Sequence, residues 1–177
     1  GKLLGAAIAR RLGAGALPWP LLPPGECIRA SAAGASEYSV QLSGNTTYVS
    51  DPGSLLPRKN LQVVPLSWPL PDVIVAADVT HALRQSFMRH DLVEGAQDVA
   101  VSLRWSGPPA FARLAALADG LLGALPHTLQ HGRPLYVVAD GDIALTLGHL
   151  LKDDPRVGGE VLVIDGITLW GFDFIDL

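Results

Sequence analysis

A strand, a turn, a helix and a second strand follow one another in the second half of the chain, and this pattern constrains the fold most. Residues 134–139 are typical of a buried strand and run directly into the turn at 140–142. The pattern then predicts a helix over 142–152 and another buried strand over 160–164. Strands joined through a helix are typically parallel neighbours in one sheet. The sequence therefore predicts a β-α-β unit and an α/β fold.

The same alternation extends toward the N-terminus. An apolar stripe at Val79, Leu83 and Phe87 predicts a helix over 78–89, and residues 98–105 alternate as a strand does. Together these elements predict a mixed sheet with flanking helices and at least one parallel pairing. Further strands are predicted at 27–33, 38–42, 46–50, 61–65 and 172–176.

The first residues predict a separate N-terminal part. Leu4, Ile8 and Leu12 fall on one face of a helix that is under way at the first residues. Residues 13–25 are rich in proline, which removes hydrogen-bond donors and excludes a helix or a central strand. We therefore expect an N-terminal helix and connector over 1–25 and an α/β domain over 26–177. The early start of the helix, with no capping residue ahead of it, suggests a piece of a longer chain.

Composition excludes several classes of function. The 177 residues are 49% hydrophobic, which is enough for a substantial core, and the net charge of −4 argues against nucleic acid as a partner. The single cysteine excludes an internal disulfide and a multi-cysteine zinc site. No apolar stretch approaches the roughly 18 residues that a membrane span needs. We expect a soluble, cytoplasmic protein with no membrane partner.

The turn at 140–142 carries two carboxylates at a strand-to-helix junction, where α/β proteins often bind ligands. Asp142 is placed to cap the following helix, and a carboxylate there gains from the helix dipole. Asp140, at the carboxyl end of the strand, is better placed to face a cleft. A contact of either carboxylate with Mg²⁺ through water, or with a ribose hydroxyl, is the alternative to capping.

A second candidate site lies among small residues. Gly34, Ala35 and Ser36 follow a predicted strand, and Ser43-Gly44 follow the next one. Residues without bulk let backbone N–H groups approach a flat or anionic ligand. A tight turn between two strands explains the same residues equally well, so both interpretations stay open.

The histidines do not form an obvious metal site. His149 falls on a predicted helix face that looks solvated. His127 and His131 are four residues apart, but they lie between Pro126 and Gly132. We therefore expect a loop there rather than a two-histidine site on a helix.

Five ordered blocks of sequence resemble the ethanolamine ammonia-lyase reactivating factor (EutA) family, and together they cover essentially the whole chain. The blocks are residues 28–35, 41–46, 56–61, 138–142 with 147–151, and 163–167 with 172–176. The family is similar to actin-like and sugar-kinase-like ATPases, which are two-lobed folds that close on ATP. The resemblance implies that this chain is the C-terminal portion of a chaperone-like factor, which exchanges damaged cobalamin for adenosylcobalamin on ethanolamine ammonia-lyase during ethanolamine utilisation.

The resemblance also implies cofactors, partners and a location. ATP or ADP with Mg²⁺ would bind the full-length protein, mainly in the preceding lobe, and none would be bound tightly by this portion. The partners would be the lyase and the nucleotide, and the cytoplasmic protein would associate with a bacterial microcompartment, where the lyase is often housed. No catalytic residue is implied within this portion. The implied nucleotide contacts are Gly34, Ala35, Ser36 (where the family usually has Gly), Ser43, Gly44 and Asp140.

Two other functions remain open from the residues alone. One is a kinase or hydrolase of the same superfamily, which would use Asp140 or Asp142 with Mg²⁺ on a small metabolite. The other is an assembly domain that binds no nucleotide.

Overall fold

The computed structural model describes residues 2–15, 47–171 and 173–177. The chain divides into two compact units, Gly1–Tyr38 and Ser39–Leu177. In the first unit, helix α1 (Lys2–Gly13) confirms the predicted N-terminal helix. The boundary predicted between residues 25 and 26, and the strands predicted at 27–33 and 38–42, lie outside the described residues.

The described residues of the second unit form a six-stranded mixed sheet, which confirms the predicted α/β class. The strands are β1 (Thr47–Val49), β2 (Leu61–Pro65), β3 (Val99–Leu103), β4 (Leu135–Ala139), β5 (Val161–Ile164) and β6 (Phe174–Ile175). Their order across the sheet is β1-β5-β4-β3-β2-β6. The four inner strands run parallel, and β1 and β6 pair antiparallel at the two edges.

The described helices of this unit are α2 (Pro52–Leu55), α3 (Ala76–Arg89), α4 (Phe111–Ala124), α5 (Pro126–Gln130) and α6 (Ala144–Lys152). Helices α3 to α6 connect the successive parallel strands β2 to β5, whereas α2 lies between β1 and β2, which are not neighbours in the sheet. Helices α3, α4 and α6 contribute to one apolar core on one face of the sheet. Within the described part of the chain, no helix has both the length and the apolarity that crossing a membrane requires.

The inner strands are buried on both faces. Val64, Val101 and Val137 pack in the core beneath the helices, whereas Val63 and Val138, one residue along, belong to a second apolar cluster on the opposite face. This alternation follows from the pleat of a strand, which points successive side chains to opposite faces. Burial on both sides explains why these strands are nearly continuous apolar runs.

Two glycines let helices approach their neighbours closely. A Cβ on Gly120 of α4 would lie 2.5 Å from the Cβ of Val79 on α3. A Cβ on Gly148 of α6 would lie 2.1 Å from the Cγ of Tyr48 on β1. Any larger side chain at these positions must push two packed elements apart.

The prediction of a loop around His127 and His131 is wrong. Residues 126–130 form the short helix α5, with Pro126 in its first turn and His131 at its C-cap. Its first N–H groups are satisfied from a distant part of the chain, because Glu94 accepts hydrogen bonds from the backbone of His127 (3.0 Å) and Thr128 (2.7 Å). Proline is favourable at this position, since its missing N–H would have no partner within the helix.

Candidate functional site

The carboxyl ends of the four parallel strands lie along one edge of the sheet, where open α/β proteins bind ligands. The strands of this set follow chain order without a reversal, so they contain no topological switch point that would open a crevice. Any site at this edge must therefore be built by the segments that leave the strands. These segments are residues 66–75, 104–110, 140–143 and 165–173.

Asp140 joins two of these segments. Its Oδ1 accepts a hydrogen bond of 2.7 Å from the backbone N–H of Trp105, the second residue after β3. The neighbouring Gly141 lies against the same tryptophan, because a Cβ there would come within 2.8 Å of the Trp105 Cβ. Asp140 thus lies at the predicted edge of the sheet, and one of its carboxylate oxygens holds the exits of β3 and β4 together.

The prediction that Asp142 caps the following helix is wrong. Helix α6 begins at Ala144, and the N-cap position is occupied by Ile143, whose side chain offers no acceptor. The cap comes instead from Asp165 after β5, whose Oδ2 accepts a hydrogen bond of 2.8 Å from the backbone N–H of Ala144. The helix starts two residues later than predicted, so Asp142 lies one position too early to act as its N-cap.

Asp165 is the most perturbed carboxyl group at this edge. It is only 7% exposed, and burial raises the pKa of its carboxyl group above the ordinary value of an aspartate. The hydrogen bond from Ala144 lowers this pKa, whereas the nearby carboxylate of Asp142 raises it further. Among the described residues, the second oxygen of Asp165, Oδ1, has no hydrogen-bond partner. The carboxyl group of Asp165 is therefore protonated more readily than that of an ordinary aspartate.

The described carboxylates at this edge do not form a preassembled metal site. Asp140 and Asp165 each use one oxygen on a backbone N–H group, which leaves one oxygen of each carboxylate for any other contact. The described part of the chain contains no cluster of three or more His, Cys, Asp and Glu side chains that could hold a metal. His149 is exposed, as predicted, and its ring packs edge-on against Tyr48 with the centroids 4.8 Å apart.

A buried arginine that the sequence analysis missed organises the same edge. Arg113 of α4 is 7% exposed and donates hydrogen bonds to the carbonyls of Pro71 (2.9 Å), Ser106 (2.8 Å) and Pro108 (2.7 Å). Its guanidinium also lies 4.5 Å from the ring centroid of Trp105. The one local signal was an arginine within an apolar helix, soon after proline-rich segments whose carbonyls need donors. Arg113 fixes the segments that leave β2 and β3.

A groove opens beside this arrangement, and the sequence analysis missed it as well. It has a volume of about 660 Å³ and lies at the carboxyl ends of β2 and β3. Trp68, Arg104 and Trp170 are among its lining residues, and the Arg104 guanidinium lies 4.1 Å from the ring centroid of Trp170. These residues are far apart in sequence, so no motif joins them.

Of the six predicted nucleotide-binding residues, only Asp140 lies in the described part of the chain. Gly34, Ala35, Ser36 and the pair at 43–44 lie outside it, so their grouping with Asp140 stays a prediction.

Comparison with known proteins identifies one family and two of its members as similar to this chain. A family model described as "Ethanolamine utilisation protein EutA" matches residues 1–177. The chain is 30% identical over 155 residues to the ethanolamine ammonia-lyase reactivase EutA of Salmonella typhimurium, a match that covers 87% of this chain and 31% of the relative. The corresponding Escherichia coli reactivase is 28% identical with the same coverage. The chain thus spans about a third of the length of these curated relatives. No solved structure gives a significant match.

Proposed function

The chain belongs to the ethanolamine utilisation protein EutA family, as its five sequence blocks predicted, and from this premise we propose that it forms part of a reactivating factor for ethanolamine ammonia-lyase. The observation that carries this proposal is the family match over all 177 residues, together with two relatives that are both named as reactivases. Because the chain spans 31% of those relatives, we assign it a share of the role and not the whole activity.

For the full-length protein we propose the exchange of damaged cobalamin for adenosylcobalamin on the lyase, coupled to ATP or ADP with Mg²⁺. We include an actin-like, two-lobed fold and an association with a bacterial microcompartment in this proposal. Its basis is the sequence resemblance. In this scheme the 34–36 segment, Ser43, Gly44 and Asp140 face the nucleotide, and the factor acts as a chaperone-like binding protein.

The side chains at the described edge of the sheet support a role in which this part of the protein holds its own loops and helices in place. Asp140 links β3 to β4, Asp165 links β5 to α6, and Arg113 holds the segments after β2 and β3. Phosphoryl transfer depends on groups arranged around the phosphates and Mg²⁺. The described carboxylates form no cluster that would hold a metal by itself, and in our proposal the phosphates and Mg²⁺ are bound mainly by other parts of the full-length protein.

A reactivation assay tests the role. Ethanolamine ammonia-lyase carrying an inactive cobalamin would be incubated with the full-length protein, adenosylcobalamin, ATP and Mg²⁺, and ammonia release from ethanolamine would be followed. We expect recovery that requires both the protein and ATP, and none from a variant that lacks the present 177 residues. Equal recovery from the truncated variant would contradict a share of the role for this chain.

A second assay tests whether the 177-residue chain hydrolyses ATP without the rest of the full-length protein. We expect the 177-residue chain alone to show no ATP hydrolysis, because the groups that would hold the phosphates lie outside it in our proposal. A malachite-green phosphate assay with a mock purification as control measures this directly. Turnover clearly above that control would show that this part contains a complete hydrolytic site.

A further inference from the structure

The groove at the carboxyl ends of β2 and β3 is formed mainly by three segments that meet only in the folded chain, and His90 at the C-terminal end of α3 also lines it. Residues 66–70 follow β2, residues 104–106 follow β3, and residues 169–171 belong to the segment that joins β5 to β6. That last segment must cross the carboxyl edge of the sheet, because β6 pairs with β2, two strands beyond β4. The resulting volume of about 660 Å³ falls within the range of about 300–1,000 Å³ that is typical of small-molecule sites.

The groove is lined largely by apolar side chains. Leu66, Leu70 and Leu103 line it and are almost completely buried, whereas the lining indole of Trp170 is 63% exposed and that of Trp68 is partly buried. Aromatic side chains bury large areas and pack well against other rings, in offset or edge-to-face arrangements. A planar apolar ring is therefore the shape that these walls match.

The groove also carries a positive charge that no carboxylate neutralises within the described residues. Arg104 is exposed, forms no ion pair in that part of the chain, and has the ring of Trp170 as its neighbour at 4.1 Å. Of the residues that the structure describes, no aspartate or glutamate lines the groove. The carboxylate of Asp173 accepts a hydrogen bond of 2.7 Å from the backbone N–H of Trp170.

The contact with Trp170 leaves Arg104 able to bind an anion. The N–H donors of a guanidinium lie in its own plane and match the oxygens of a carboxylate or phosphate. Among the described residues no hydrogen bond or ion pair engages the Arg104 donors, so they remain available while the guanidinium lies over the Trp170 ring.

We propose that this groove binds a small molecule that combines a planar aromatic ring with an anionic carboxylate, sulfonate or phosphate group. The ring packs on Trp170 and the apolar floor, and the anionic oxygens accept hydrogen bonds from Arg104. The argument uses only the groove, so it does not depend on the reactivation role.

A pair of matched probes tests the proposal. Isothermal titration calorimetry would compare 2-naphthoate, an anion, with its neutral counterpart 2-naphthamide. We expect Arg104→Gln to weaken 2-naphthoate binding by about tenfold, the change that one charge-assisted hydrogen bond supports, and to leave 2-naphthamide within about twofold. Arg84→Gln is the matched control, because Arg84 is also exposed but lies outside the groove, and both probes should bind it as they bind the wild type.

A second variant tests the aromatic wall. Trp170→Leu should weaken both probes, and the indole N–H signal of Trp170 should shift in ¹H–¹⁵N spectra on addition of either probe. Unchanged melting temperatures would exclude loss of folding as the cause. Absence of 2-naphthoate binding at millimolar concentration, equal losses in Arg104→Gln for both probes, or an equal loss in Arg84→Gln would each overturn the proposal.

Competition by ADP distinguishes a nucleotide from a free aromatic acid as the natural ligand of the groove. Displacement of 2-naphthoate that weakens in Arg104→Gln would support a nucleotide as the natural occupant of the groove. Binding of 2-naphthoate that ADP does not affect would support a free aromatic acid.

Discussion

Replacing Asp165 with alanine should destabilise the protein by about 1 kcal/mol at neutral pH. The substitution removes the side chain that accepts the hydrogen bond from Ala144 at the start of α6, and loss of an N-cap acceptor costs roughly 0.5–2 kcal/mol. Because Asp165 is only 7% exposed, water is poorly placed to replace it. The loss is reduced at neutral pH, since alanine also removes a carboxylate whose ionised form burial disfavours.

The same carboxyl group should make stability depend on pH in a defined direction. The pKa of Asp165 is raised in the folded protein, so the folded state binds more protons than the unfolded state between the ordinary and the raised pKa. Its stabilising contribution is therefore fully present below the ordinary aspartate pKa of about 3.9 and is lost as the pH rises through the folded value. The difference in unfolding free energy between wild type and Asp165→Ala should accordingly be larger at pH 4.5 than at pH 7.5.

The Asp165→Asn variant distinguishes the effect of the capping hydrogen bond from the effect of the carboxylate charge. Asp165→Asn keeps an oxygen that can accept the hydrogen bond from Ala144, so we expect its stability at pH 7.5 to lie within about 0.5 kcal/mol of the wild type. Its pH dependence should be flatter, because no proton is bound at that position. Asp142→Asn should leave stability nearly unchanged at pH 7.5, since Asp142 is exposed and does not cap α6.

Urea denaturation followed by circular dichroism at pH 4.5 and pH 7.5 measures all of these differences. A loss of 1 kcal/mol corresponds to a fall of about 2–4 °C in the melting temperature of a domain of this size. A larger loss in Asp142→Ala than in Asp165→Ala would refute the assignment of the cap. A difference between wild type and Asp165→Ala that grows toward high pH would refute the direction of the pKa shift.

Three further outcomes are expected. Gly148→Ala should cost about 1–3 kcal/mol in a thermal melt, because its Cβ would lie 2.1 Å from the Cγ of Tyr48; an unchanged melting temperature would contradict this packing. Asp140→Ala should cost about 1 kcal/mol in urea denaturation through loss of the hydrogen bond from Trp105, whereas Asp140→Asn should be nearly silent; equal losses would argue against that bond. Gly34→Trp in the full-length protein should weaken adenine-nucleotide binding in calorimetry more than it lowers stability, and unchanged affinity would favour a plain turn at that segment.

Local sequence patterns predicted the elements around the candidate site. The unit predicted over 134–164 is present as β4, α6 and β5, and the helix predicted at 78–89 is present as α3. These elements were predictable because each one's burial is set by its own periodicity, and both faces of the inner strands are apolar. The parallel pairing followed from the helical crossover between the strands.

The partners of the helix N-termini could not be predicted. Asp165 caps α6 from 21 residues further along the chain, and Glu94 binds the first turn of α5 from 33 residues before it. The first N–H groups of a helix accept any carboxylate that the tertiary fold brings near. Spacing along the sequence favoured Asp142 because it was close, and proximity in sequence is not what decides such a contact.

The groove could not be predicted for a similar reason. Arg104 and Trp170 meet because the segment after β5 crosses the carboxyl edge of the sheet to reach β6 beside β2. The sequence indicated a strand near the C-terminus, but it did not indicate the strand's place in the sheet. The burial of Arg113 could not be predicted either, because an arginine within a helix is usually exposed. It is buried here because three loop carbonyls accept its hydrogen bonds.

The cap on α6 has a consequence for local unfolding of the protein. A helix of nine residues is too short to persist on its own in water, and the carboxyl group that completes its first turn arrives from the strand that follows it. Helix α6 can therefore be fully formed only while β5 is docked against β4. Fluctuations that detach β5 should unravel α6 at the same moment, so the amide hydrogens of α6 and β5 should exchange with solvent together, as one cooperative unit.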